Sequence, residues 1–100
     1  MNQIDLTVTI DGPAQEAERV ILGRIGPRLD GTGLTGRQRH GAVEYRPKFA
    51  VPAVVWLVRL LRGEGVTFTF DEQGPVTQVL VRGKLRDRAH AEVIEAFGGD

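Results

Sequence analysis

Ile4, Leu6, Val8 and Ile10 alternate with Asp5, Thr7, Thr9 and Asp11, the period-two spacing of a strand with one buried and one wet face. Asp11-Gly-Pro13 then offers a cap and a proline start. Ala17, Val20, Ile21 and Ile25 follow at helical spacing, with Glu16 and Glu18 in the first turns, where negative charge suits the helix dipole. A helix over about 13–25 is predicted, ended by Gly26-Pro27. From 26 to 41 the chain carries Gly26, Gly31, Gly33, Gly36 and Gly41 with little apolar content besides Leu29 and Leu34, which predicts a long, flexible glycine-rich loop. Ala42-Val-Glu-Tyr-Arg46 alternates weakly and reads as a short edge strand stopped by Pro47, which cannot donate to a ladder. Val66, Phe68 and Phe70, then Thr77, Val79 and Val81, make a hairpin turned at 71–75. Leu85, Ala89, Val93 and Ala96 or Phe97 stripe a closing helix, with Gly98-Gly99 as its cap.

Between the second strand and the hairpin lies the greasiest run, Pro52-Ala-Val-Val-Trp-Leu-Val-Arg-Leu-Leu-Arg62. Pro52 suits a first helical turn, and Gly63 and Gly65 supply a left-handed stop. Residues 54, 57, 58 and 61 form one apolar stripe, and 53, 55, 56 and 60 carry the apolar surface most of the way round. The expectation is an interior rod: burial of eight such side chains would contribute on the order of 15 kcal/mol as an upper bound. The predicted fold is a single α+β domain in β-α-β-α-β-β-α order, a four-stranded mixed sheet with helices packed on it. A right-handed crossover would make the first two strands parallel. The whole organisation depends on 52–62 being interior.

Composition narrows the chemistry. One hundred residues suit one domain without disulfides or metal. Without cysteine there is no thiolate site, thiol redox or cysteine nucleophile. The apolar run is too short to cross a bilayer and the N-terminus lacks a secretion signal's basic, apolar start, so a soluble, cytoplasmic protein with no membrane partner is expected. Basic and acidic residues balance at thirteen each, so nothing global attracts nucleic acid. Eleven of the cations are Arg, a guanidinium bias that suits phosphate or carboxylate recognition and that a GC-rich genome would equally produce.

No catalytic set emerges. There is no serine for a triad, and His40 and His90 lack ligand spacing, so no metal or cofactor is called. Gly31-Thr-Gly33-Leu-Thr-Gly36 spells G-x-G-x-x-G, but no strand leads into it and Arg37-Gln-Arg-His-Gly is a poor helix start. Arg59 and Arg62 stand out on the apolar helix: they either snorkel or pair with Glu64 or an acid on a neighbouring element, or, with Trp56 and Tyr45, rim a patch that docks a partner protein. Two basic intervals, Arg37, Arg39, Arg46 and Lys48, then Arg82, Lys84 and Arg86, could grip phosphates with Tyr45 stacking on a base.

The strand ending "VTIDG", the apolar helix ending "WLVRLLRGEG" and the hairpin "VTFTFDEQGPVTQVLV" resemble the small effector-associated constant component domains of actinobacterial conflict and signalling gene clusters. That resemblance implies a non-enzymatic bacterial adaptor working beside a variable effector. A second likeness, through "EYRPK" and "RGK…AH", is to the C-terminal domain of bacterial translation initiation factor three. Two readings stand: a protein-interaction module using the second strand's edge, including a homodimer through it, or the exposed side of the central helix; and, as the alternative, an RNA- or DNA-binding module using the basic segments 37–48 and 82–88.

Overall fold

The first strand forms as its alternation predicts, but its partner is the last strand of the chain. In the computed structural model, which describes residues 1–98, β1 (Asn2–Asp11) pairs antiparallel with β5 (Val76–Leu85). The remaining strands are β2 (Leu34–Arg39), β3 (Ala42–Pro47) and β4 (Gly65–Gln73), and the sheet order is β1-β5-β4-β3-β2. Every pairing is antiparallel. The expected four-stranded mixed sheet is therefore corrected to five antiparallel strands, and the elements run β-α-β-β-α-β-β-α. The strand expected over 42–46 is β3, which β5 and β4 separate from β1; three successive antiparallel pairings make it run opposite to β1, so the first two expected strands are not parallel.

The extra strand comes from the expected loop. Helix α1 (Ala14–Val20) passes into a π-helical turn (Ile21–Ile25) and then α2 (Gly26–Asp30) without a break. Pro27 lacks an N–H and its ring crowds the preceding turn, and the wider π turn falls just before it. The helical stretch thus passes the proline, and Ala17, Ile21, Ile25 and Leu29, each four residues on, are all buried. A turn follows, with Gly33 at φ 83, and β2 buries only Leu34. A strand with one inward apolar side chain leaves no alternation to read. The 71–75 turn also tightens to Gly74-Pro75, with Gly74 at φ 65 as the first central residue of a primed hairpin turn.

The sheet's inner face carries Ile4, Val43, Tyr45, Val66, Phe68, Val79 and Val81, covered by the 14–30 helical stretch and by α4 (Asp87–Gly98) through Ala89, Val93 and Ala96. The Gly98-Gly99 cap falls partly outside the described residues. Asp11 does not cap α1. The Ala14 amide instead donates to Glu72 Oε1 at 2.7 Å, across from β4.

The largest correction concerns α3 (Ala53–Leu61), which has no buried residue. Its stripe points outward: Val54 is 64% exposed and Leu61 85%. Two helical stretches side by side already cover the apolar face of the sheet, and α3 sits at the end of the sheet against β3. The interior rod predicted for 52–62 does not exist.

Candidate interaction surface

At 100° per residue, Leu57, Leu61, Val54, Val58 and Val55 sweep one side of α3 in that order, and all five are exposed. Phe49 and Val51, the latter 88% exposed, extend this surface ahead of the helix. Trp56, Arg59 and Leu60 occupy the opposite arc and face the body. The Trp56 indole donates to the Pro47 carbonyl at 3.1 Å and meets the Phe49 ring edge-on at 5.0 Å. Trp56 is thus an anchor of the helix rather than the tip of a patch.

Arg59 fixes the other end. Its Nε and Nη2 donate to Glu64 Oε1 and Oε2 at 3.0 and 2.5 Å, and Nη2 also reaches the Thr32 carbonyl at 3.4 Å. Arg86 approaches Glu64 Oε1 from the β5–α4 junction at 3.2 Å. Glu64 is 1% exposed, and burial alone would raise its pKa. The hydrogen bonds and charges of Arg59 and Arg86 outweigh burial and hold the carboxyl below its ordinary value. The Arg59 guanidinium is held above its own, chiefly by the same hydrogen bond. This buried knot joins α3, the α2–β2 turn and the β5–α4 junction, so the apolar ridge is presented on a fixed base. Arg62 lies one turn beyond it, exposed and with no partner among the described residues.

Tyr45 belongs to neither proposed site. It is buried, edge-on to Phe68 at 5.8 Å, and covered by Gly36 of β2, so it cannot stack on a base or touch a partner. Burial pushes its hydroxyl pKa up. The strand that holds it, β3, is interior rather than an edge, which withdraws it as a docking edge.

The cations divide. Arg37, Arg39, Arg46, Arg82 and Lys84 occupy outward positions on the sheet face that no helix covers, drawn from β2, β3 and β5 by the register. Glu44 takes both Arg39 and Arg46 at 3.3 Å, and Asp5 takes Arg82 at 3.3 Å. Lys48 instead pairs with Asp30 at 2.7 Å, and Arg86 belongs to the Glu64 knot. The Gly31–Gly36 spelling is split between a turn and β2, with no helix after it to face a pyrophosphate. No cluster with metal-ligand character occurs among the described residues.

What the sequence reading missed is which way the stripe 54, 57, 58, 61 points. The usable signal was a count of inner faces: one sheet face, already claimed by the stripes 17-21-25-29 and 89-93-96. Comparison with known protein families, characterised proteins and solved structures finds no match to the chain. No helix of the described residues is long and apolar enough to cross a membrane.

Proposed function

We propose that this is a non-catalytic docking module that works in the cytoplasm by inserting the exposed ridge of α3 into an apolar groove on a partner protein. The observation that carries this is the bare stripe itself: Val54, Leu57, Val58 and Leu61 stand at i, i+3, i+4 and i+7 on a helix, the anchor spacing of helix-in-groove recognition. A contiguous apolar surface of this kind is uncommon on a protein that works alone. Only Arg59 among the nine residues of α3 is polar, and it is turned onto Glu64. A helix this uniformly apolar lacks the Lys/Arg-rich face of an interfacial membrane helix. The resemblance to effector-associated constant component domains implies the same kind of role, although the order of elements here includes the additional strand β2.

The test is co-purification with the product of a neighbouring gene. Leu57→Glu combined with Leu61→Glu should weaken capture by about 30-fold or more, the cost of losing a hot spot. Arg37→Glu with Arg39→Glu should leave it unchanged. If the second pair abolishes binding and the first does not, the docking reading fails. The nucleic-acid alternative has the five outward cations in its favour, but Glu44 and Asp5 lie among them and no aromatic ring stands on that face.

A further inference from the structure

We infer that a second copy of this chain adds to the sheet at β1, making a two-fold dimer with a continuous sheet of ten strands. β1 is the edge of the sheet opposite β2, and α3 packs elsewhere, against β3. β1 spans ten residues and pairs residue for residue with β5 over its whole length, without a bulge. Among the described residues no strand lies on its other side. Proteins normally blunt such an edge with charge, lysine above all, or with proline, a bulge or a short strand; within Asn2–Asp11 the charges are Asp5, paired with Arg82 of the neighbouring strand, and the terminal Asp11, and there is no lysine, proline or bulge.

The sequence of β1 is also complementary to itself. A two-fold axis at Thr7 sets Leu6 opposite the second copy's Val8, and Ile4 opposite its Ile10, all on the inner face. On the outer face Thr7 meets Thr7, Asp5 meets Thr9, and Gln3 meets Asp11. Directly opposed residues share a face in an antiparallel pair, so this register keeps apolar with apolar and opposes no two like charges. It also answers a gap in the core. Leu6, Val8 and Ile10 are only half-buried, and between β1 and the helices lies a cleft of about 410 Å³ lined by Val8, Ile10, Val20, Ile25 and Phe97. A second β1 would bring its own Ile4, Leu6, Val8 and Ile10 alongside that half-buried row.

The natural absence of cysteine gives a clean test with the full chain. Opposed Cα atoms in an antiparallel pair are about 4.5–5.5 Å apart, within disulfide reach, so Thr7→Cys should form a covalent dimer under mild oxidation at a rate independent of dilution. Thr69→Cys, on the same sheet face but in the interior strand β4, should not. Sedimentation of the unmodified chain should give twice 11.0 kDa. Thr7→Lys, which opposes two like charges while leaving an exposed position exposed, should raise the dimer dissociation constant at least tenfold with unchanged circular dichroism. A monomer at tens of micromolar overturns the inference. So does a dimer that Thr7→Lys leaves intact and Leu61→Cys cross-links, since that dimer would be joined through α3.

Discussion

Glu64 shows how much one side chain can hold. Arg59 reaches it twice from the end of α3, and Arg86 reaches it from beyond β5, which the Gly65–Lys84 pairing brings alongside. Removing one partner of a buried ion pair strands the other, at about 3 kcal/mol or more, so Glu64→Ala should lower the melting temperature clearly. The pH dependence has a definite sign. A carboxyl whose folded pKa is depressed stabilises the fold at pH above its unfolded value, near 4.3, and that contribution disappears as pH falls through the folded value. Melting temperature followed below about pH 4.3 should therefore fall more steeply for the natural chain than for Glu64→Gln; equal slopes would mean the knot contributes nothing. The pairing of Arg59 with Glu64 was readable from the sequence as a five-residue separation across a helix end. Arg86 was not, because nothing local announces a contact twenty-two residues away. Tyr45 was misread for a similar reason. Its neighbours Glu44 and Arg46 are polar, and only the register reveals Gly36 opposite it. A methyl on Gly36 would lie 2.8 Å from the Tyr45 ring, so Gly36→Ala should destabilise the fold by about 1–3 kcal/mol by overpacking, measurable by denaturant unfolding.

Two helical stretches that each carry an apolar stripe have opposite fates, the more apolar of them being the exposed one, and the comparison between them is testable. Ile25 is 2% exposed within the helical stretch and Leu61 is 85% exposed at the end of α3. Ile25→Ala should cost about 2–5 kcal/mol, whereas Leu61→Glu should change stability by no more than about 0.5 kcal/mol. Thermal unfolding of the two variants side by side decides the point, and a large loss from Leu61→Glu would return α3 to the core. Periodicity alone could not separate the cases. It reports that one side of a helix is apolar, not whether that side meets the same chain or another. The 52–62 prediction took apolar content as burial within the chain, and the docking proposal now rests on the opposite circumstance. The hairpin β4–β5 and the closing helix were legible because their alternation and stripe each had a vacant surface to match. β2 was not, since Leu34 is its one inward anchor and its other five residues are exposed.

At the scale of the whole molecule, the arrangement of charge decides between docking and nucleic-acid binding. The outer sheet face gathers Arg37, Arg39, Arg46, Arg82 and Lys84, which the sequence had left in two separate intervals. The same register inserts Glu44 between Arg39 and Arg46 and sets Asp5 beside Arg82. Only Arg37 and Lys84 of the five have no ion-pair partner among the described residues, so a phosphate chain would have to break existing pairs to gain contacts. Affinity for nucleic acid depends on the number of phosphates neutralised, with log K falling by about 0.9 per contact per decade of salt on duplex and about 0.7 on single strands. The natural chain should therefore elute from heparin at low salt and show a salt slope of about two contacts or fewer. Glu44→Gln together with Asp5→Asn would release three arginines, and both substitutions lie on the solvent face, where the fold should tolerate them. That variant should bind a single-stranded oligonucleotide measurably and steepen the slope by about two to three contacts' worth. If the natural chain already binds with a steep slope, its interleaved acids are not a barrier, and the open sheet face rather than α3 becomes the working surface. If neither chain binds, this face is not a phosphate surface, with Arg39, Arg46 and Arg82 serving the sheet's own ion pairs, and the ridge from Phe49 to Leu61 is left as the surface whose exposure needs a partner to explain it.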